Sequence, residues 1–261
     1  MSIRYTAITG ASSGIGRRAA LEFAKRGKSL ILIARREDRL LEVKAEATHI
    51  DPSVDVVIRP ADLSVAAGCH SLYESLKDYE IETWINNAGF GYYGAVAGQP
   101  LDKIETMLRV NIEALTILST LYARDYSFTE GAQLINVSSA GGYTIVPPAV
   151  TYCAAKFYVS AFTEGLSHEL KAQGAALSAK VLAPAATRTE FGQVANDVAD
   201  YDYDKNFSCY HTVEQAVDFL MRLYDGDKTV GVVSRETFEF TLRDAIFPYA
   251  GKSAINQKLT R

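Results

Sequence analysis

The sequence predicts an α/β fold: a single doubly wound parallel sheet of about seven strands with helices on both faces. Two observations carry this. Apolar runs of strand length alternate with longer helical patterns, as in a parallel sheet buried on both sides. Gly27, Gly131 and Gly174 each follow a helical stretch, where a helix-terminating glycine belongs. At 261 residues, 48% of them hydrophobic, the chain can bury a large core as one domain. No Pro/Gly/Ser-rich linker, charge block or repeat divides 1–261.

Taken in order, Tyr5-Thr6-Ala7-Ile8 supply the first strand (3–9), which runs into a glycine-rich turn and a helix at 14–26. The apolar run at 29–34 is the second strand, followed by a helix at 37–48. Strand 55–59 and helix 65–78 form the next unit, and strand 83–86 precedes a long helix at 102–124. Strand 133–137 leads to a second long helix at 151–173. Strand 176–182, helix 213–224 and strand 229–233 complete the sheet. Between Pro184 and His211 periodicity is lost, although Phe191, Tyr201, Tyr203, Phe207 and Tyr210 are present. A connection that long, after a strand that should end at a binding crevice, is expected to be a substrate lid. An apolar extension follows at 235–261 with Phe238, Phe240, Leu242, Ile246, Phe247 and Tyr249, for which packing against another subunit is expected.

The balance of 27 Lys+Arg against 31 Asp+Glu gives a formal charge of −4, which argues against nucleic acid as a partner. Cys69, Cys153 and Cys209 are an odd, scattered set, so no disulfide framework is expected and a reducing, cytoplasmic setting fits. No apolar run has the length of a membrane span, and the N-terminus lacks the apolar core of a signal peptide. His49, His70, His168 and His211 are dispersed, and Cys69-His70 lacks partners at zinc spacing, so no metal site is expected.

Two motifs point to chemistry. The first is Thr9-Gly10-Ala11-Ser12-Ser13-Gly14-Ile15-Gly16, a strand-to-helix turn with spacing G-x-x-x-G-x-G. Such a turn lets backbone amides approach a pyrophosphate, with the positive end of a helix behind them. The second strand then ends in Ala34-Arg35-Arg36, with no carboxylate for the ribose hydroxyls of NAD(H). An arginine there can fork onto a phosphate, so NADP(H) is expected over NAD(H). The second motif is Ser139 with Tyr152 and Lys156, the last two sharing one helix face. A free phenol ionises near ~10, and a nearby ammonium brings that down towards useful acid/base chemistry. Ser139 can hydrogen-bond a substrate oxygen on which charge develops.

With Asp62-Leu63, Asn86-Asn87-Ala88-Gly89, Asn111, Ser139, Tyr152-Cys153-Ala154-Ala155-Lys156, Pro184 and Thr189 in that order, the chain resembles the short-chain dehydrogenases/reductases over 9–189. The resemblance implies a Rossmann-like sheet and hydride transfer between a nicotinamide and a carbonyl/alcohol pair, with Tyr152 as the acid/base. It places Gly10, Ser12, Ser13, Gly14, Ile15 and Gly16 on the pyrophosphate side, Arg35 and Arg36 near the phosphate, and Asp62 and Leu63 at adenine. Asn87, Ala88 and Gly89 line the adenosine side, and Asn86 ties neighbouring strands. Lys156 donates to the nicotinamide ribose hydroxyls and Asn111 holds a water linking it to solvent. Pro184, Thr187 and Thr189 approach the nicotinamide. A homodimer or homotetramer built on the two long helices is implied as well. One departure stands out: Ala185 replaces a glycine that usually follows the proline, which would cost about 1 kcal/mol if that position needs a positive φ.

Two other functions compete. A regulator that binds NADP without turnover would typically lack the Tyr or the Lys, and both are present. A nucleotide-sugar epimerase would need a larger C-terminal domain. The aromatic lid favours an apolar or aromatic carbonyl compound. Glu190, Asp197, Asp200, Asp202 and Asp204 disfavour an acidic carrier protein. A small hydroxy acid would require an arginine such as Arg188 to turn inward.

Overall fold

The computed structural model describes residues 3–250. Eight strands form one sheet in the order β3-β2-β1-β4-β5-β6-β7-β8. They are β1 Arg4–Thr9, β2 Ser29–Ala34, β3 Val56–Pro60, β4 Glu80–Asn86, β5 Gln133–Val137, β6 Ser178–Ala183, β7 Val230–Val233 and β8 Phe240–Arg243. The first seven run parallel. The eighth is an antiparallel edge that the sequence reading missed. Four residues alternating around a single turn carry too little pattern to be separated from an apolar tail.

Side chains alternate across the sheet with period two, which splits the core into two layers. Ile8, Leu30 and Leu32 face α1 (Gly14–Lys25), α2 (Glu37–Ile50) and α9 (Val213–Asp225), meeting Phe23, Leu40 and Leu220. Ala7, Ile31 and Ile33 face the opposite layer. There, α3 (Ala66–Glu74), α5 (Leu115–Tyr126) and α6 (Val150–Ala172) contribute Leu72, Tyr122 and Leu170 around the fully buried Trp84. The chain leaves β1 for β2 on one side and returns to β4 on the other. The crevice beyond the carboxyl ends of β1 and β4 is therefore the topological switch point where open α/β sheets bind ligands.

The long helix expected at 102–124 is interrupted. It runs as α4 (Leu101–Leu108), a π-helical stretch Arg109–Ala114, and then α5. The extra residue per turn rotates Asn111 towards the sheet.

A chain of buried polar side chains joins the central strands. Asn86 Nδ2 donates to Asn136 Oδ1 at 2.9 Å and to Ser119 Oγ at 3.0 Å, while Asn86 Oδ1 accepts from Trp84 Nε1. Asn136 Nδ2 continues the chain to Thr163 Oγ1. This is the strand tie expected of Asn86. Replacing it, as in Asn86→Leu, strands the indole N–H and takes a donor from Ser119 Oγ and Asn136 Oδ1, which keep only their 3.3 Å bond to each other. The expected loss is about 3 kcal/mol in urea unfolding. A loss under about 1 kcal/mol would mean the network is not what joins β4 to β5. Lys180 on β6 is similarly committed, donating to the carbonyls of Leu223, Tyr224 and Gly226 at the end of α9.

Residues 184–211 are more ordered than their pattern suggests. A bridge between Thr187 and His211 clasps the two ends. Within it lie α7 (Phe191–Asn196) and α8 (Tyr203–Asn206), and Tyr201, Tyr203, Phe207 and Tyr210 pack on one another. Arg188 turns outward, paired with Asp204 and lying over the Tyr210 ring, so it offers no inward cation for a carboxylate substrate.

Much of the apolar C-terminal stretch packs on its own chain. Phe238 stacks on the buried His211 ring at 4.3 Å, Phe240 on Phe219 at 4.4 Å and Phe247 on Tyr143 at 5.2 Å. Leu242 packs against the first core layer. The backbone N–H groups of Ile246 and Phe247 donate to the buried Glu164 carboxylate. The rest of the extension, 251–261, lies outside the described residues. His49 and His70 are exposed, whereas His168 stacks on Tyr249. Among the described residues, no cluster of His, Cys, Asp or Glu is placed to hold a metal ion, and no helix is long and apolar enough to cross a membrane.

Candidate active site

The glycine-rich turn sits at the carboxyl end of β1. Gly10 has φ 68°, and a Cβ there would lie 2.8 Å from Asn87 Nδ2 and 2.9 Å from Ala88 Cα. A Cβ on Gly16 would overlap Asn87 Nδ2 and the Gly10 carbonyl. Only hydrogen fits at either place, so chain and helix start approach more closely than any side chain would allow. Thr9 Oγ1 accepts the N–H groups of Asn87 and Ala88, and Asn87 Nδ2 donates to the Thr9 and Gly10 carbonyls. Asn87 Nδ2 thus holds the turn. Ser13 is the N-cap of α1 and leaves the first helical amides without a side-chain cap. That donor set, shaped by glycine at the positive end of a helix, fits the pyrophosphate of a dinucleotide.

Beside the turn, Arg36 Nη2 donates to Glu190 Oε2 at 2.9 Å and Ser12 Oγ at 3.4 Å. Arg35 is exposed at the end of β2. Asp62 Oδ1 accepts from Ser64 N and Oγ, which hold its carboxyl below the usual range, with the Arg35 charge adding to this. Leu63 is buried behind it.

On the other side of the crevice, Ser139 caps a short turn after β5, its Oγ accepting from Gly141 N at 3.0 Å. The Ser139 and Tyr152 side chains are hydrogen-bonded. Lys156 Nζ lies 5.9 Å from the Tyr152 ring centre and donates to the Val137 carbonyl at 2.9 Å. A Cβ on Gly89 would sit 3.0 Å from Asn111 Oδ1 and 3.4 Å from Lys156 Nζ, so both groups border the space beside that glycine. Asn111 is held by both its atoms, Oδ1 accepting from Phe90 N and Nδ2 donating to Phe90 O. The π turn makes this pairing possible, and no helical periodicity could have shown it. Burial pulls Lys156 down to about 8 and pushes Tyr152 well above the usual phenol range. Desolvation is the largest cause and the Ser139 hydrogen bond pulls the other way, so the phenol is held protonated.

The loop after β6 returns to this point. Pro184 O accepts from Ala140 N, and Thr187 Oγ1 donates to Ala185 O. Among the described non-glycine residues only Asp197 and Phe238 have positive φ, so Ala185 is unstrained and the penalty considered for it does not arise. Thr189 lies over Gly14, its Cγ2 3.3 Å from where a Cβ on that glycine would be. Sequence reasoning did not find the aromatic wall around Tyr152. Phe191 stands 5.4 Å and Tyr93 6.1 Å from its ring centre, and Tyr93 N donates to Ala195 O. Phe90, Tyr92, Val146, Ile104 and Met107 complete this cluster.

A switch-point crevice with a dinucleotide turn on one side and Ser, Tyr and Lys on the other defines a class of nucleotide-dependent oxidoreductases. The short chain dehydrogenase family model matches residues 4–199, and the chain belongs to that family, whose members use a nicotinamide cofactor. It is 33% identical over 165 residues to 7beta-hydroxysteroid dehydrogenase of Clostridium sardiniense, 62% of each chain. The chain spans about three-fifths of the length of curated relatives of this kind. Among solved structures it is similar to a short-chain dehydrogenase from Sphingobium yanoikuyae in complex with NADPH, at 31% identity over 87% of both chains and a TM-score of 0.79. It is also similar to the bulky-bulky ketone specific alcohol dehydrogenase from Comamonas testosteroni, at 26% identity over 88% of this chain and 86% of the other, with a TM-score of 0.76.

Proposed function

We propose that this chain is an NADP(H)-dependent oxidoreductase that interconverts a bulky, apolar or aromatic carbonyl compound and its alcohol. The observation that carries the reading is the convergence of Ser139, Tyr152 and Lys156 within the crevice that the glycine-rich turn opens. Gly10, Ser12, Ser13, Gly14, Ile15 and Gly16 hold the pyrophosphate, Arg36 and Arg35 the phosphate of the adenosine ribose, and Asp62 and Leu63 the adenine. Ala88 and Gly89 line the adenosine side, and Pro184, Thr187 and Thr189 border the nicotinamide. When bound, that group supplies or accepts the hydride.

The residues of the chain manage the oxygen. Ser139 donates a hydrogen bond to the carbonyl oxygen, and Tyr152, protonated in its dry wall, delivers the proton as negative charge builds there. Lys156 holds the ribose hydroxyls and replenishes the phenol, with Asn111 positioning its ammonium side. In the alcohol-to-carbonyl direction the same proton path runs backwards.

Substrate class rests on the wall of Phe90, Tyr92, Tyr93 and Phe191 and on the outward turn of Arg188. The steroid and the bulky ketone in the names of the two enzymes above agree with it in kind. A cytoplasmic homodimer or homotetramer is part of the reading, supported by three unpaired cysteines and by the exposed Leu101, Val150 and Tyr158 on the long helices.

Purified protein is tested with NADPH and NADH against aryl and alicyclic ketones, small aldehydes and keto acids, following loss of reduced-nicotinamide absorbance. Turnover is expected with the bulky ketones, and NADPH is expected to exceed NADH at least about tenfold in kcat/KM. Tight cofactor binding without turnover of any carbonyl would instead make the chain an NADP-binding regulator.

A further inference from the structure

Three consecutive residues bridge the crevice from the cofactor side to the substrate side. Thr189 rests on Gly14 of the glycine-rich turn. Glu190 pairs with Arg36 at 2.9 Å and is also hydrogen-bonded to Ser13, so its carboxylate sits at the mouth of the turn itself. Phe191 reaches across to Tyr152 and Tyr93 and fills the space over Gly91, where a Cβ would lie 2.7 Å from its ring. The carboxylate occupies an edge of the Arg36 guanidinium that an anionic group of a ligand would use. Both partners are about half exposed, at 44% and 51%, so the pair is weak and exchangeable.

We propose that Glu190 is a cofactor-specificity residue. It acts as an internal anion that holds Arg36 until the ribose phosphate of the cofactor replaces it, and in leaving it draws Phe191 away from Tyr152. This rests on the NADP(H) reading above and deepens it. The rationale is exchange of one anion for another on a single guanidinium. A dinucleotide carrying the extra phosphate leaves Arg36 with a partner after Glu190 moves, whereas one lacking it leaves Arg36 bare. Because Glu190 and Phe191 are adjacent, the same movement that admits the phosphate clears the aromatic wall at the phenol. A ligand can shift this equilibrium only through its different affinity for the two arrangements, and the phosphate supplies that difference.

The probes are adenosine 2′,5′-bisphosphate and 5′-AMP, which lack nicotinamide and leave the chemistry untouched. Amide exchange is read at Tyr93, bonded to Ala195 O, and at Gly192, bonded to the Tyr203 hydroxyl. The bisphosphate is expected to raise exchange at both amides several-fold, and 5′-AMP to change it by less than about twofold. In Glu190→Gln the bisphosphate is expected to bind about threefold tighter, the worth of one exposed ion pair, with 5′-AMP unchanged. Bisphosphate binding with no change in exchange, or equal effects of the two nucleotides, overturns the proposal while leaving the NADP(H) reading intact. Failure of both nucleotides to bind overturns the NADP(H) reading as well, and is told apart by the binding isotherm alone.

Discussion

Tyr152→Phe is expected to lower kcat about a thousandfold while leaving the NADPH dissociation constant within about threefold of the parent. The change removes one oxygen and keeps the ring. The ring is what packs against Phe191 and Tyr93, so the wall and the fold persist. What disappears is the proton donor and the partner of Ser139. Burial holds that proton on Tyr152 well above neutrality, so in the carbonyl-reducing direction the acid is present in full at pH 7. No neighbouring group can substitute. Tyr93 is also held protonated by its burial, but it is Tyr152 that is hydrogen-bonded to Ser139 and has Lys156 beside its ring. Single-turnover NADPH oxidation separates this loss from any change in binding. A kcat within tenfold of the parent would assign the proton to another donor.

The residues that carry this chemistry were readable in the sequence for a physical reason. A turn that excludes every Cβ must be written in glycines, and Gly10 and Gly16 show the clash that enforces it. Tyr152 and Lys156 share a face because α6 is regular from Val150 to Ala172. The strands were legible for the same kind of reason: β2 is buried on both faces and reads as an unbroken apolar run. What stayed hidden depends on contacts between distant segments. Asn111 reaches Phe90 only because one helix slips into a π turn, and nothing in Arg109–Ala114 marks where that slip occurs. Arg36 was read as a phosphate ligand, and its ion pair with Glu190, 154 positions away, could not be seen in the sequence. That Asn87 Nδ2 also braces the turn could not be read from the sequence. Composition records that the C-terminal aromatics are apolar, not that Phe219, His211 and Tyr143 meet three of them on the same chain.

Lys156→Met separates the two duties of the lysine through pH. In the free protein burial brings Lys156 down to about 8, so above that pH a growing fraction is neutral. If the ammonium form holds the ribose hydroxyls, cofactor binding raises the lysine pKa and takes up a proton. The NADPH dissociation constant then climbs by up to about tenfold per pH unit above pH 8 and is flat between pH 6.5 and 7.5. In Lys156→Met it is weaker at pH 7 and flat across the whole range. Turnover falls at least about a hundredfold, since the phenol loses both its cation and its proton supply. Stability responds differently. The folded lysine binds its proton less tightly than the unfolded one, so between pH 8 and its ordinary range the parent gains stability as pH rises. Methionine fills the same space with no charge to desolvate, at the cost of the bond to the Val137 carbonyl. These offset, and unfolding free energy at pH 7 is expected within about 1 kcal/mol of the parent. A variant that lost activity through misfolding would show the opposite pattern, falling in stability while keeping the pH slope of whatever binding survived. An enzyme whose Lys156 only braced Val137 would bind NADPH with no break near pH 8, and the ribose contact would have to be given to another residue.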